Sequence, residues 1–470
     1  MSGATAALAG WSRALAFERL PGDVVERVLA HTLDAVGALV VGATRPWSAQ
    51  VRDYVAGESP PGRCAVPGLD ARVRPEWAAL ANGTAAHGFE IDDYALPGLS
   101  HPGCVVVPTA LALAEHEGCD GRELIAALAA GFETTVRFGL ACTPSLTSDR
   151  GFHVTSALGV FGAVAVAARL LRLAPAHAAA AFGLAAAHAC GTTEFTRTGG
   201  DVKRLHAGMA AAAGIRSASI ARRGFSAPLA AIEGERGFLN AFVAHARPQA
   251  LTDGLGDDLS DGLRSDNWAL RGLAIKRWCV CAGLQAPLAA LEALKARGLR
   301  LADASRIAIG VDPATLAHVG AIGAHPRDMT EAQMSAHHAI AMSVVVGGND
   351  PIHYAAFESG DARLGALGAL AQRVVLRVDA EAAALFPRRL VAEVEVTHAD
   401  GSTDRARAEA PGTPGTPMSS ADIAAKFRTL CEPVVGGAAT QAAIAAVAAL
   451  RDGGPPAAVL AAIGRFDATR

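Results

Sequence analysis

Val391-Ala-Glu-Val-Glu-Val-Thr397 sets Glu393 and Glu395 on one side and Val394 and Val396 on the other. A period of two is the signature of a strand with one buried face. His398-Ala-Asp-Gly401 follows, and Asp-Gly is a strong hairpin signal. Arg306-Ile-Ala-Ile-Gly-Val311 and Arg373-Val-Val-Leu-Arg-Val378 also read as strands. The chain upstream has a different character. From Ala4 to about Ala246 the pattern is helical, with Pro21-Gly22-Asp23 opening one helix. Gly121 to Leu140, Val154 to Leu173 and Ala207 to Arg222 read as apolar helices. After Pro411-Gly-Thr-Pro-Gly-Thr-Pro417 the helical pattern resumes, with Ser419 or Ser420 as N-cap and Ala421 to Leu430 behind it. The expectation is a mainly α fold: a large all-helical domain over 1–265, a smaller α+β lid over 266–408, and C-terminal helices over 409–470 that return to the first domain.

The bulk numbers agree with several packed layers. The chain has 470 residues, 51% of them hydrophobic, 19% charged and only 5% aromatic. That length exceeds one ordinary core. A net charge of −3 with interspersed signs offers neither a nucleic-acid face nor a membrane-surface patch. The most apolar stretch, Val154 to Ala168, stops at Arg169 and is shorter than the roughly 20 residues a bilayer span needs. No secretory signal is expected over Met1 to Leu20, where Glu18 interrupts the apolar run. The eight cysteines contain no CxxC pair, and only Cys279 and Cys281 are close. A disulfide framework or zinc ribbon is not indicated, and reduced thiols suit a cytoplasmic location. Walker A, GxGxxG and GxSxG signatures are absent from the sequence.

The densest chemistry lies in Ala81-Asn-Gly-Thr-Ala-Ala-His-Gly-Phe-Glu-Ile-Asp-Asp-Tyr94 and the Ser100-His-Pro-Gly103 that follows it. Glu90, Asp92, Asp93, His87, His101 and Tyr94 are gathered there, and carboxylates beside imidazoles are what proton transfer at carbon requires. Asp92 and Asp93 read either as a solvated helix end or as functional acids; at a helix C-terminus they would oppose the macrodipole. His101 sits in an exposed-looking Pro/Gly loop and is the better catalytic candidate, whereas His87, in an Ala-rich helical run, reads as a core histidine. His153 precedes an apolar helix, where it either caps the helix or helps receive a carboxylate. Lys203 in a Gly-flanked loop reads as an anion-steering or a solvated lysine. Lys276 stands where the chain changes character.

These residues carry a resemblance to the MmgE/PrpD family. Asn82-Gly-Thr-Ala-Ala-His87, Asp92-Asp93 and His101-Pro102 resemble its first signature, and Gly151-Phe-His153 with Leu158-Gly-Val-Phe-Gly162 its second. Lys203-Arg-Leu-His-Ala-Gly208, Ala221-Arg-Arg-Gly-Phe225, Glu233-Gly-Glu-Arg-Gly-Phe238, Lys276 with Cys279, and Pro417-Met418 through Lys426-Phe427 extend it almost to the C-terminus. Members of that family dehydrate 2-methylcitrate, decarboxylate cis-aconitate or epimerise iminodisuccinate. The resemblance implies a helical domain with an α+β lid, a homodimer, and no metal or organic cofactor. It places the first signature acid on Glu90, where Asp is more usual, the loop histidine on His101, the second histidine on His153, and substrate-facing lysines on Lys203 and Lys276. Tyr94 stands where Thr is common, Gln285 near a frequent His, and the loop from Tyr94 to His101 is longer than in decarboxylase-like members.

The expected function is a cofactor-independent lyase acting on a small di- or tricarboxylate by taking a proton next to a carboxylate. His101 would be the main acid/base, with Asp93, Asp92 and Glu90 orienting it or sharing the proton and His153 assisting. Lys203, Lys276, Tyr94 and His206 would hold the substrate. Dehydration is the first expectation; decarboxylation and epimerisation share the chemistry. Two rivals stand beside it: a metal-dependent hydrolase or hydratase using His87, Asp92, Asp93 and His101, which lacks a frame such as HExxH, and a catalytically silent binding protein. Neither a nucleic-acid nor a membrane partner is expected.

Overall fold

The structure, a computed structural model, describes residues 3–96, 98–255, 267–360 and 363–464. It is mainly helical and divides into two compact units. One comprises Met1–Thr193, Asp201–Leu273 and Ser419–Arg470; the other comprises Glu194–Gly200 and Ala274–Met418. The boundary expected at 265/266 falls outside the described residues.

The first unit is a stack of helices built on small side chains. Gly22–Ala43 starts behind Pro21, with Asp23 in its first turn where a carboxylate complements the helix dipole. Gly121–Cys142 starts at Asp120, whose side chain accepts the Glu123 N–H at 2.8 Å. This helix, not Val154–Leu170, is long and apolar enough to cross a membrane, yet 94% of its apolar window is buried. It also carries a buried Glu133–Arg137 ion pair at 2.7 Å. Glu133 accepts the N–H groups of Ala269 and Leu270 at 3.0 and 2.8 Å, and Arg137 donates to the Asp253 carbonyl at 2.8 Å. Such a fully bonded ion pair suits the interior of a folded domain.

The helix Val202–Ala221 begins five residues before the apolar pattern at Ala207 suggests, because Lys203, Arg204 and His206 near its start are polar but buried. It packs on Pro75–Ala86 and Val154–Leu170. At the first crossing Gly83 and Gly208 meet: a Cβ on Gly83 would sit 2.9 Å from the Gly208 Cα, and one on Gly208 would strike the Leu80 carbonyl. The contact brings two backbones together, which any larger residue would prevent. At the chain's other end, Ser419 and Asp422 form a capping box for Ser420–Val435. That helix packs on Gly22–Ala43, so the C-terminal segment completes the first unit.

The second unit holds a four-stranded sheet in the order Val374–Val378, Arg306–Val311, Val391–Thr397, Thr403–Glu409. The first pairing is parallel and the other two are antiparallel. Val394 and Val396 are buried, while Glu393 and Glu395 face Arg377, Arg407 and Arg405 on the opposite side. The period-two pattern is therefore realised from Ala392 to Thr397, while Val391 is buried on the glutamate side. Helix Gln285–Ala296 covers the hairpin. Gln285 itself is buried and stitches the preceding turn: its Oε1 accepts the N–H groups of Arg277 and Trp278, and its Nε2 donates to the Trp278 carbonyl at 3.0 Å.

Candidate active site

The helix Pro75–Ala86 ends one residue before His87, and the chain then passes through Glu90 at φ 56° and Leu99 at φ 56°. Non-glycine residues in the left-handed region cost ~1–3 kcal/mol each, and such strain clusters at functional loops. Between them the segment closes on itself: Leu99 donates to the Ala95 carbonyl at 2.8 Å, and Ala95 to the Ser100 carbonyl at 2.9 Å.

Asp92 and Asp93 are buried, not a solvated helix end. The helix has already stopped at Ala86, so they do not oppose its dipole. Asp93 instead serves the start of the next helix, Gly103–Glu117, where its Oδ1 accepts the Gly103 N–H at 2.8 Å. A carboxylate at that end is favoured by the helix dipole. The approach requires glycine, because a Cβ on Gly103 would lie 2.8–2.9 Å from the Asp93 carboxylate atoms. Its Oδ2 lies 2.8 Å from Nδ1 of His31.

His101 is less exposed than its loop context suggests, its side chain being 13% accessible. The ring Nδ1 lies 2.6 Å from the Asp93 carbonyl oxygen. A carbonyl can only accept, so Nδ1 carries the hydrogen and, in the neutral ring, Nε2 carries the lone pair. The geometry therefore selects Nε2 as the atom able to take up a proton. The backbone of His101 is fixed as well: its N–H donates to Thr155 Oγ1 at 3.2 Å, and its carbonyl accepts Cys104 Sγ at 3.1 Å.

His87 is buried, as expected of a core histidine, but it also stands at the centre of the cluster. Its Nδ1 is 2.6 Å from Asp92 Oδ2, its ring stacks on His153 at 5.6 Å between centroids, and His101 lies 5.3 Å away. The Nε2 of His87 is buried without a partner. His153 occupies the N-cap position of Val154–Leu170, yet its side chain makes no capping bond. It turns instead to His206, Nδ1 to Nδ1 at 3.0 Å. Burial pushes the His153 imidazole well below its ordinary value, helped by its neighbours His87, Lys203, His206 and His101, beside which a second positive charge is unfavourable. His206 is lowered to about 4 by burial and then by His87 and Lys203. Both rings are therefore neutral near pH 7.

Lys203 is not in a loop. It lies buried in the first turn of Val202–Ala221 and forms an ion pair with Glu90. The cation expected to hold a substrate carboxylate thus already holds a carboxylate of the chain. Tyr94 is buried beside this cluster in sequence. Lys276 belongs to the second unit and is fully buried. Glu90, Asp92, Asp93, His101, His153, Lys203 and His206 all lie in the first unit.

Three participants were not singled out from the sequence as site residues: His31, Asp34 and Lys426. Lys426 donates to Asp34 Oδ1 at 2.5 Å and to the Ile91 carbonyl at 3.0 Å. Burial raises Asp34, against the lowering effect of Lys426. The available signal was His31 and Asp34 within the apolar run Val28-Leu-Ala-His-Thr-Leu-Asp-Ala-Val36, since polar side chains inside an apolar helix need partners.

His87, Asp92 and Cys104 bring three potential metal ligands within 4.8 Å of one another. The 2.6 Å between His87 Nδ1 and Asp92 Oδ2 is a hydrogen-bond distance. Ligand atoms around a tetrahedral ion stand roughly 3.3 Å or more apart, as metal–ligand bonds of ~2.0–2.3 Å require. As arranged, these residues form a proton-bonded cluster and not a metal cage. Two cavities in the first unit, about 830 and about 290 Å³, lie elsewhere; the smaller one borders Ser156, three residues from His153. Chemistry, rather than cavity size, marks the site.

Comparison with known proteins gives a consistent pattern. The MmgE/PrpD N-terminal domain matches residues 6–251 and the MmgE/PrpD C-terminal domain matches residues 278–452. A cis-aconitate decarboxylase of Aspergillus terreus is 29% identical over 358 residues, covering 73% of this chain and 72% of that protein. A cis-aconitate decarboxylase-like protein of Aspergillus oryzae is 29% identical with 73% of each chain covered. The human cis-aconitate decarboxylase is 29% identical over 49% of this chain and 48% of its own.

Proposed function

The chain belongs to the MmgE/PrpD family, and we propose that it is a lyase acting on a small di- or tricarboxylate through proton transfer at a carbon next to a carboxylate. The observation that carries this reading is the bond from His101 Nδ1 to the Asp93 carbonyl, which fixes Nε2 as the proton carrier. His101 Nε2 takes the proton from, or returns it to, the reacting carbon. Asp93 and His31 hold the loop, and Asp92 orients His87. Lys203 supplies the fixed positive charge that an enediolate needs as it develops, usually the largest electrostatic contribution. For a substrate carboxylate to reach that ammonium, Glu90 must share it or turn away.

Two reactions use this arrangement. Dehydration needs a base for the carbon proton and an acid for the departing hydroxyl. With His153 and His206 neutral, the acid falls to Lys203 or to His101 once protonated. Decarboxylation needs one proton delivered to carbon after carbon dioxide leaves, and the named Aspergillus and human relatives favour it. We assign decarboxylation of an unsaturated tricarboxylate as the first reaction to test and dehydration as the second.

Chelator-treated protein incubated in D₂O with cis-aconitate, 2-methylcitrate, citrate and iminodisuccinate, followed by proton NMR, distinguishes them. Loss of carbon dioxide with deuterium on the product carbon supports the first, and a new olefin from a hydroxy acid the second. Exchange at carbon without elimination points to epimerisation. No exchange and no product from any of the four would remove this substrate class.

A further inference from the structure

We propose that Lys426, carried by the C-terminal helix, is a positioning residue for His101, acting through the Ile91 carbonyl and, with Asp34 and His31, fixing the loop from which His101 is bonded. This rests on the reading of His101 as the proton carrier. Lys426 comes from 335 residues beyond Ile91 in sequence, yet its ammonium reaches that carbonyl at 3.0 Å. Ile91 sits between the strained Glu90 and the Asp92–Asp93 pair. On the other side of the same loop His31 holds the Asp93 side chain at 2.8 Å. His31 and Asp34 are three residues apart on Gly22–Ala43 and so share a face. One helix and one lysine thus grip the loop at two nearby points, and the carbonyl of Asp93 sets the His101 ring.

A purely structural ion pair would leave two facts unexplained. Lys426 spends a donor on loop backbone, and Asp34 Oδ2 stays buried without a partner. Buried ion pairs are rarely more stabilising than apolar contacts of the same volume, so a pair retained at this position suits orientation better than stability. Among the groups near the His101 ring are Asp92 at 3.5 Å, the Asp93 carbonyl and the His87 ring, and the bonds Lys426 makes to Asp34 and the Ile91 carbonyl go to none of these directly.

The test compares two charge-neutral double variants, Asp34→Asn/Lys426→Gln and Asp34→Asn/Lys426→Met. The first keeps an N–H donor for Ile91; the second removes it. The proposal expects the Met double to lose about ten- to a hundredfold in kcat, the scale of a slightly misplaced catalytic group, with KM little changed and most of the loss recovered in the Gln double. Long-range ¹H–¹⁵N NMR of His101 should show the Nδ1–H tautomer in the wild type and the Gln double, and a tautomer mixture in the Met double. Equal kcat and identical His101 spectra in both doubles would overturn the proposal. Should the Met double not fold, Lys426→Arg retains the charge for Asp34 but displaces the donor from Ile91: a lowered kcat in folded protein supports the role, and wild-type kcat overturns it. If the wild type turns over none of the acids, the spectra still decide the positioning while the lyase reading falls separately.

Discussion

His153 and His206 meet Nδ1 to Nδ1 at 3.0 Å. Two identical ring nitrogens can bond only if one carries a hydrogen and the other does not, so the two neutral rings hold opposite tautomers. Protonating both would set donor against donor in a buried place.

That pair makes the fold acid-sensitive. An unfolded imidazole takes a proton near pH ~6.5, whereas His206 in the fold takes one only near pH 4. Between those values the unfolded chain binds more protons, so this stabilisation is complete above about pH 6.5 and is lost as the pH falls toward 4. His153 adds in the same direction. Thermal unfolding should show a drop in Tm from about pH 7.5 to about pH 5 that is shallower in His206→Gln. Equal slopes in both proteins would contradict it.

Lys203 and Glu90 form a buried pair, which separates its structural from its chemical role. Lys203→Met removes the ion-pair partner of a buried Glu90 and should destabilise by about 3–5 kcal/mol. Adding Glu90→Gln should restore most of that stability while activity stays lost, because the cation assigned to the developing enediolate is gone. Denaturant unfolding and turnover, measured on the same samples, check both halves. Recovery of turnover in the double variant would show that the lysine serves only Glu90.

Gly103→Ala places a methyl against the Asp93 carboxylate. Overpacking of this kind costs typically ~1–3 kcal/mol. Here it should also loosen the Asp93–His31 contact and lower kcat more than it lowers Tm. Circular dichroism melting and initial rates would reveal an unchanged kcat if Asp93 were only a helix cap.

The fold was legible where pattern and burial coincide. Val391–Thr397 alternates because one face meets helices and the other meets arginines, and Ser419 announces a helix through its capping chemistry. Residue pattern also exposed the Asp92–Asp93–His101 cluster. What stayed hidden depended on contacts between distant segments. Lys203 looked like a loop lysine because the polar residues near the start of its helix are buried only by neighbouring elements. The two aspartates stay open in the sequence between a solvated helix end and functional acids, because nothing local shows that His31, 62 residues earlier, and the Gly103 amide receive Asp93. Lys426 lies 392 residues from Asp34, a separation at which spacing carries no information.

The most direct measurement compares wild type and His101→Ala on whichever acid the wild type consumes, with deuterium incorporation and rate followed by NMR in D₂O. The role assigned to Nε2 predicts a turnover loss of ~10²–10⁴ in the variant, with Tm close to wild type and exchange at carbon suppressed in proportion. Near-normal turnover and exchange in folded His101→Ala would contradict it and pass the proton to another member of the cluster.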